Sequence, residues 1–327
     1  MKAIVVTEPG GIDRLAIREQ PDLVPSEGQV RIAVRATALN RADLLQRRGK
    51  YPPPPGESEL LGLECAGVVD ATGPGVGSLK VGDRVMALLP GGGYAEQVVV
   101  HERMAIPVPE SLDFTQAAAI PEAFLTAREA LFGLGGLQPD QSVLVHAGAS
   151  GVGSAAIQLA HLHGATVFTT AGSPEKLRAA QALGAAVAIN YRTEDFAAVV
   201  DERTRKAGVH VVLDFIGGAY WEQHARCMAI GGRCVVIGVL GGAKAEVNLG
   251  KLLMKRHQIL GLVMRSRPLV EKVAMTQRFI RESLPHFERG ALRPVIDSVF
   301  AFEDVARAHE RMEQNANTGK IVLSLNA

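Results

Sequence analysis

The sequence predicts an α/β protein in which a doubly wound parallel sheet is inserted into a second, mostly antiparallel β domain. Three observations support this prediction. The first third alternates short β-type runs with glycine-rich turns, the middle alternates strand and helix patterns, and the tail returns to β signals. Buried parallel strands read as apolar runs with helices between them, whereas antiparallel strands need only short turns. A chain of 327 residues is long enough for two such cores.

Four β-type runs are expected in the first third, at Lys2–Thr7, Gln29–Ala38, Ala66–Thr72 and Tyr94–Val100. Turn signals such as "EPGG", "GPGVG" and "LPGGG" separate them. One helix interrupts the pattern. Its N-cap is Asn40, Asp43 stands at the position of a capping-box partner, and Gly49 ends it. We therefore interpret Asp43 as a capping residue rather than a general base.

The middle of the chain predicts six strands, at Ser142–Ala147, Thr166–Thr170, Val187–Ile189, Val209–Phe215, Arg233–Val239 and Ile259–Val263. Helices are expected between several of them, notably at Val152–His163 and Pro174–Leu183. Each of these two helices is followed by a glycine, Gly164 or Gly184, which suits a left-handed C-terminal cap.

The tail predicts one long helix at Leu269–Arg289, a strand near Val295–Phe300, a further helix and a last strand, "GKIVLSL". Its β signals suggest that it rejoins the first domain. The predicted domains are therefore 1–124 with 267–327, and 125–266.

Composition excludes several classes of protein. The formal net charge is +1 and the basic residues are scattered, so a nucleic-acid-binding face is not expected. The three cysteines form no CxxC pair and no even set, which favours a reduced, cytoplasmic protein. Residues 141–174 contain no charged side chain, but glycines and histidines interrupt them. A strand–turn–helix unit explains this stretch better than a membrane span.

The turn "GASGVG" between a predicted buried strand and helix indicates a dinucleotide site. Gly148 would allow a sharp turn, Gly151 would let the backbone approach a pyrophosphate, and Gly153 would allow close helix packing. The free N–H groups that start the helix would face the phosphates. Glycine spacing is weak evidence alone and good evidence inside a complete βαβ unit. The cofactor-contacting residues expected here are Gly148, Ser150, Gly151, Val152 and Gly153.

The end of the second strand of this unit carries no acidic residue. NAD-specific sites usually place a carboxylate there to bind the ribose 2′-hydroxyl, but this sequence reads Thr170-Ala171-Gly172-Ser173. Ser173 and Lys176, with Tyr191 after the third strand, would suit a 2′-phosphate instead. Taken alone, Lys176 fits a solvated helix lysine better than a phosphate ligand. Together these features predict NADPH as the cofactor.

Nearly the whole chain resembles the zinc-free medium-chain dehydrogenases/reductases, and within them the quinone oxidoreductases of the p53-inducible type. The resemblance rests on "LNRADLLQRRGKYPPPPG", "LGLECAGVV", "VGDRVMALLPGGGYAEQVVV", "AAAIPEAFLTAREAL", "HAGASGVGSAAIQLA", "LGAAVAINY", "VVLDFIGGAYW" and "NTGKIVLSL", in this order. It implies a GroES-like β domain built from both chain ends, an inserted Rossmann domain, and an active site in the cleft between them. It also implies a homodimer that pairs Rossmann edge strands, at Arg233–Val239 or Ile259–Val263.

The resemblance also implies which residues meet the cofactor. The nicotinamide end would be lined by Asn40, Tyr51 and Thr126, with backbone near Gly238 and Val263. The 2′-phosphate would meet Ser173, Lys176 and Tyr191.

The sequence argues against a metal. Zinc-dependent relatives have a cysteine near the position of Asn40 and a histidine where this chain has Leu63, and Ala123 replaces a third ligand. Zinc sites are built mainly from thiolate and imidazole ligands. Without a Lewis acid, an acceptor that spreads incoming charge over a conjugated system is favoured. We therefore expect an NADPH-dependent reductase of quinones or similar conjugated carbonyl compounds.

Two residues are candidates for a catalytic role. Tyr51 would donate a proton or stack on a quinone, or else pack a loop stiffened by Pro52–Pro55. Asn40 would contact the cofactor in addition to capping its helix, and Glu64 would keep a structural hydrogen-bonding role. Two other functions stay open: an enone or enoyl-thioester double-bond reductase, and a non-catalytic nucleotide-binding redox sensor or RNA-associated protein.

Overall fold

The computed structural model describes residues 1–325 and divides the chain into two compact units. Unit 1 contains Met1–Leu125 and the chain from Met264 onward, and unit 2 contains Thr126–Val263.

Fifteen strands are found in residues 1–325. They are β1 (Lys2–Val6), β2 (Leu15–Glu19), β3 (Gln29–Ala38), β4 (Glu64–Thr72), β5 (Arg84–Leu88), β6 (Gln97–His101), β7 (Ala105–Pro107), β8 (Ser142–Val145), β9 (Thr166–Ala171), β10 (Val187–Asn190), β11 (Val209–Asp214), β12 (Met228–Val236), β13 (Gln258–Gly261), β14 (Ile296–Ala301) and β15 (Lys320–Ser324).

The same residues contain eleven α-helices. They are α1 (Arg41–Arg47), α2 (Phe114–Ala118), α3 (Pro121–Arg128), α4 (Gly151–Leu162), α5 (Pro174–Ala182), α6 (Phe196–Arg203), α7 (Trp221–Cys227), α8 (Leu249–Lys255), α9 (Leu269–Glu282), α10 (Leu284–Glu288) and α11 (Val305–Glu313). A π-helical turn, Glu129–Leu134, continues α3. None of the helices in the described part of the chain is long and apolar enough to cross a membrane.

Unit 1 is organised around β3, whose alternating buried positions face the core. The sheet order is β14-β15-β3-β4-β5-β7, with β6 also paired to β3. Every pairing in it is antiparallel except that of β14 with β15. The pairing of Val322 with Ala38 joins the C-terminal strand to β3. This pairing brings Lys320, at the start of β15, close to Asn40, just after the end of β3.

Unit 2 is a six-stranded parallel sheet in the order β10-β9-β8-β11-β12-β13. Its strands are short apolar runs, as β8 illustrates with four consecutive buried residues. The order reverses between β8 and β11, which is where such sheets bind ligands at the carboxyl ends of their strands. The predicted α/β class, with a doubly wound parallel sheet in one unit and a mostly antiparallel sheet in the other, is confirmed.

Two expectations are corrected. The single helix predicted at Leu269–Arg289 is two helices, α9 and α10, with Ser283 between them. Pro285 explains the break, because its nitrogen has no hydrogen to donate to the carbonyl one turn earlier. The strand predicted at Arg233–Val239 spans Met228–Val236 and has neighbours on both sides, so it is not an edge. The edge strands of unit 2 are β10 and β13.

Candidate active site

The glycine-rich turn of unit 2 joins β8 to α4 at the switch point of the sheet. Ser150 is the N-cap of α4, and its hydroxyl accepts a hydrogen bond from Gly153 N at 3.0 Å. A Cβ on Gly153 would lie 2.2 Å from the carbonyl oxygen of Ala147, so no larger residue fits there. The first-turn N–H groups of a helix lack intrahelical partners and attract anions. The turn therefore fits the pyrophosphate of a dinucleotide.

The sequence predicts that Gly148 makes the sharp turn, but the structure shows that it does not. The residue with a left-handed backbone is Ala147, at φ 48°. Gly148 is required for a different reason: a Cβ there would lie 2.0 Å from Thr169 Oγ1 on β9. Its N–H also donates to the Thr170 carbonyl at 3.0 Å. The glycine thus keeps the turn close to the neighbouring strand.

The residues expected to meet a 2′-phosphate lie together at the carboxyl ends of β9 and β10. Ser173 caps α5 and accepts from Lys176 N at 3.4 Å. Tyr191 N donates to the Ala171 carbonyl at 3.3 Å, and a Cβ on Gly172 would lie 2.7 Å from the Tyr191 hydroxyl oxygen. One hydroxyl from each strand end therefore lies beside the first turn of α5.

Sequence reasoning missed two charged residues beside this group. Glu175 is exposed on the first turn of α5, and hydrogen bonds from its own backbone amide and from the Ser173 hydroxyl lower its pKa. Its carboxylate lies 3.5 Å from Arg178. The sequence signal for this pair is an acidic and a basic residue three positions apart at the start of a predicted helix, because side chains with that spacing are neighbours on a helix surface. The pair supplies Arg178 as a second nearby cation and Glu175 as an anion.

The other residues expected at the cofactor in unit 2 differ in their surroundings. Thr126 is buried, and its hydroxyl has no partner among residues 1–325. An unpaired buried hydroxyl costs free energy, which a polar group of a bound ligand would recover. Gly238 N donates to the Asp214 carbonyl at 3.2 Å, and the side chain of Val263 is half exposed.

A buried polar centre in unit 1 lies at the end of β3. Lys320 Nζ donates to Glu64 Oε1 at 2.6 Å, to Asn40 Oδ1 at 2.6 Å and to the Leu39 carbonyl at 2.7 Å. An ammonium group has three N–H bonds, so all of them have acceptors. Glu64 Oε1 also accepts from Asn40 Nδ2 at 2.9 Å, and Oε2 accepts from Glu122 N at 2.8 Å.

Asn40 and Asp43 form a capping box at the start of α1. Asp43 Oδ2 accepts from Asn40 N at 2.7 Å, and Oδ1 accepts from Gly62 N at 3.1 Å. Burial raises the pKa of Asp43 to about 6 despite these bonds. The Asn40 amide is engaged at both ends by Lys320 and Glu64. Within the chain it therefore holds a charged pair in addition to occupying the N-cap position.

Glu122 follows Pro121 on the first turn of α3 and is half-buried. Burial raises the pKa of its carboxyl to about 8, and the nearby Glu64 carboxylate adds to the shift. Lys320 and Arg265 act in the opposite direction. A carboxyl with this pKa carries its proton at neutral pH.

Tyr51 lies beside Arg265. The guanidinium carbon is 5.3 Å from the centre of the Tyr51 ring, and Arg265 Nη1 donates to the Tyr51 carbonyl at 3.3 Å. Burial raises the pKa of the Tyr51 phenol, with Glu122 adding to the shift. Sequence reasoning missed both Arg265 and Lys320. The signal available for Lys320 was a charged residue at the start of the apolar run "KIVLSL".

At the positions where the resemblance places the metal ligands of zinc-dependent relatives, this chain has Asn40, Leu63 and Ala123. Asn40 offers an amide, and Leu63 and Ala123 offer no donor. Among residues 1–325 one group of ligand types does come together, in unit 2: Asp214, His224 and Cys234. All three are buried, burial raises the pKa of the Cys234 thiol, and Asp214 Oδ1 accepts from Ile216 N and Gly217 N.

Comparison with known proteins gives matches over the whole chain. A family model described as "Zinc-binding dehydrogenase" matches residues 151–279, and one described as "Alcohol dehydrogenase GroES-like domain" matches residues 26–110. The "Quinone oxidoreductase" of Pseudomonas aeruginosa is 37% identical over 319 residues, which cover 96% of each chain. The "Synaptic vesicle membrane protein VAT-1 homolog" of Rattus norvegicus is 34% identical over 342 residues, covering 99% of this chain and 84% of that protein.

Solved structures match along the same length. An "NAD-dependent alcohol dehydrogenase" superimposes with a TM-score of 0.88 at 35% identity and covers 100% of both chains. A mycobacterial protein solved with NADPH has a TM-score of 0.89 at 28% identity, and the match covers 99% of this chain and 100% of that one. The CurK enoyl reductase has a TM-score of 0.88 at 30% identity and covers 99% of both chains.

Proposed function

We propose that this chain, which belongs to the medium-chain dehydrogenase/reductase family, is an NADPH-dependent reductase of quinones that works without a metal. Relatives described as quinone oxidoreductases, at up to 37% identity, support the reaction class. The family uses a nicotinamide cofactor, and the glycine turn of unit 2 fits one.

The observation that carries this proposal is the polar centre of unit 1. Where zinc-dependent relatives bind their metal, this chain has Asn40, Leu63 and Ala123, with a saturated pair of Lys320 and Glu64 beside them. A simple ketone needs a Lewis acid or a strong proton donor to stabilise a developing alkoxide. A quinone delocalises the same charge over its ring, so positioning contributes most of what is needed.

Bound NADPH would supply a hydride, that is two electrons and one proton, and end as NADP⁺. The quinone gains that hydride and one further proton, ultimately from solvent, and leaves as hydroquinone. The chain's own part is to hold both reactants and exclude water. We assign acceptor contact to Tyr51, and to Asn40 the positioning of the Lys320–Glu64 pair and a contact with the cofactor.

The preference for NADPH is proposed from the end of β9. Ser173, Lys176 and Tyr191 lie around the first turn of α5, and the strand end carries no acid. A 2′-phosphate there would gain charge-assisted hydrogen bonds. The similar mycobacterial protein solved with NADPH is consistent with a preference for NADPH. The similar alcohol dehydrogenase is described as NAD-dependent, so both cofactors have to be compared.

The test is steady-state turnover of purified protein with NADPH or NADH and a panel of acceptors. We expect loss of nicotinamide absorbance with simple quinones and a higher kcat/KM with NADPH. Negligible turnover of every quinone would refute the proposal. Fast turnover of an alkenal or enoyl thioester in the same panel would establish the second candidate, an enone double-bond reductase. The likeness to the CurK enoyl reductase favours this alternative.

We further propose that unit 2 pairs with a second copy through β13. This strand is an edge of its sheet, and an open edge exposes unpaired backbone groups. Apolar side chains are exposed on and next to it, with Leu253 73% and Met254 79% accessible on α8 and Ile259 43% accessible on β13. Exposed apolar groups of this size commonly mark an interface. A monomeric mass in solution at micromolar concentration would refute the pairing.

A further inference from the structure

Arg265 is a buried cation, and one of its nitrogens has no hydrogen-bond partner in the described part of the chain. The residue is only 5% exposed. Its Nε donates to the Pro90 carbonyl at 2.5 Å and its Nη1 to the Tyr51 carbonyl at 3.3 Å. Its Nη2 is fully buried and has no hydrogen-bond partner among residues 1–325. Guanidinium donors left unpaired away from water cost free energy, so a missing acceptor is implied.

Two other buried cations of unit 1, Lys320 and Arg47, differ in this respect. Lys320 uses its three N–H bonds on Glu64, Asn40 and Leu39. Arg47 donates from Nε to the Gly10 carbonyl, contacts His309 through Nη1 and pairs with Glu313 through Nη2. Arg265 thus stands apart from both in having a whole –NH₂ group left over.

The surroundings of Arg265 suit a planar, oxygen-bearing ligand. The Tyr51 ring lies against the guanidinium, and stacking on an aromatic ring leaves the in-plane donors available for an acceptor. Room beside Nη2 is limited, since a Cβ on Gly91 would lie 3.4 Å from it. Nη2 is shielded from solvent in this conformation, so a ligand would have to displace a covering group. Tyr51 is half-buried and is followed by Pro52–Pro55, which form no helix or strand. We take it as the covering group.

We propose that Arg265 Nη2 binds the oxygen atom of the electron acceptor on which negative charge develops during reduction, with the Tyr51 ring moving aside to stack on the acceptor. This inference rests on the proposed function and adds a binding residue to it. When a hydride reaches a quinone, the two electrons form the new bond to hydrogen and shift a π pair to oxygen. Arg265 would stabilise that oxyanion until a proton arrives. A preorganised cation in a site that excludes water serves the purpose that a metal serves in other reductases.

The primary experiment compares three variants with the unaltered protein in quinone reduction at saturating NADPH. Arg265→Met removes the donors and keeps an apolar stem. Arg265→Lys keeps the charge and loses the planar pair of nitrogens. Arg267→Met is the matched control, because it removes an arginine two residues away whose contacts include Glu271 and Met275. We expect Arg265→Met to lose about 10²-fold in kcat/KM for the quinone, the size found for deleting one oxyanion donor. Arg265→Lys should fall between this variant and the unaltered protein, and NADPH binding by fluorescence should be unchanged.

A second readout requires no turnover. The visible spectrum of 4-nitrophenol distinguishes its neutral and anionic forms, so binding beside a cation should increase the phenolate fraction. The unaltered protein with NADP⁺ should show this shift, Arg267→Met should keep it, and Arg265→Met and Arg265→Lys should lose it or weaken it.

The outcomes separate this inference from the proposed function. If Arg265→Met has a normal melting temperature and reduces quinones as fast as the unaltered protein, the Arg265 inference is overturned and the proposed function stands. Equal losses in Arg265→Met and Arg267→Met would also overturn the inference. If Arg265→Met does not fold, Arg265→Lys decides through the nitrophenol spectrum. A protein that reduces no quinone but shows the Arg265-dependent shift would lose the proposed function and keep the anion site.

Discussion

Replacing Lys320 with methionine should destabilise unit 1 by leaving the buried carboxylate of Glu64 without its cation. Both side chains are almost fully buried, at 5% and 0% exposure, and Nζ lies 2.6 Å from Oε1. Removing one partner of a buried ion pair typically costs about 3–5 kcal/mol. Glu64 keeps its bonds from Asn40 Nδ2 and Glu122 N, so we expect the lower end, about 3 kcal/mol.

The assay is urea denaturation without cofactor, followed by far-ultraviolet circular dichroism and by tryptophan fluorescence. Trp221 is the one tryptophan of the chain and lies in unit 2, so its fluorescence reports that unit separately. The loss should appear in the dichroism transition.

A double variant identifies the cause. Lys320→Met with Glu64→Gln removes both charges and keeps a carbonyl oxygen for Glu122 N. It should be more stable than Lys320→Met alone, by about 1–2 kcal/mol for a directly coupled pair. Arg307→Met is the control, since Arg307 is 70% exposed and 3.4 Å from Asp304, and it should change stability by less than about 0.5 kcal/mol. A double variant no more stable than Lys320→Met alone would refute the reasoning.

Three further predictions concern a carboxyl, the cofactor preference and the glycine turn. The raised pKa of Glu122, about 8, means that the folded protein binds more protons than the unfolded one between roughly pH 4.5 and 8, so this carboxyl makes stability fall as pH rises. Glu122→Gln should remove that fall in denaturation at pH 5 and pH 8, whereas the exposed Glu303→Gln should keep it. Lys176→Glu should reverse the preference for NADPH in kcat/KM by about tenfold or more, because it sets a carboxylate against the 2′-phosphate, and Lys176→Gln should only weaken it; equal ratios in all three proteins would count against the assigned phosphate site. Gly153→Ala should abolish nucleotide binding in calorimetry, since its Cβ would lie 2.2 Å from a carbonyl oxygen, while Gly77→Ala, whose Cβ meets nothing within 4 Å, should bind normally.

The parts of the fold set by local pattern could be predicted from the sequence. Strand β3 spans Gln29–Ala38 as predicted, because alternating residues mark a strand with one buried face. The parallel strands of unit 2 were recognisable as apolar runs between helices ended by Gly164 and Gly184, both left-handed in the structure. The ends of the predicted elements differ from the structure by a few residues. The apolar periodicity of the tail predicts one continuous helix, whereas the structure has two helices, with Pro285 in the first turn of the second.

The polar centre could not be predicted in this way, because its partners are far apart in the sequence. Lys320 bonds Asn40 across 280 positions, and Asn40 bonds Glu64 across 24. The contact depends on the antiparallel pairing of β15 with β3, and the left-handed Gly319 precedes the strand at the point where Lys320 enters it. Hydropathy near residue 320 suggests a strand with a charged first residue, and only the sheet shows which carboxylate compensates it.

This polar centre also determines which group in unit 1 is available to stabilise negative charge on a bound acceptor. Lys320 is held by three acceptors, so it has no N–H left for a ligand. Its ammonium group pairs with Glu64, and the Glu64 carboxylate in turn favours the protonated form of Glu122. Lys320 is saturated and Glu122 is neutral at physiological pH, whereas Arg265 lies beside Tyr51 and has a nitrogen with no partner among residues 1–325. A delocalised oxyanion needs less stabilisation than a localised alkoxide, so a single guanidinium can suffice for a quinone where a simple ketone would need a Lewis acid or a strong proton donor.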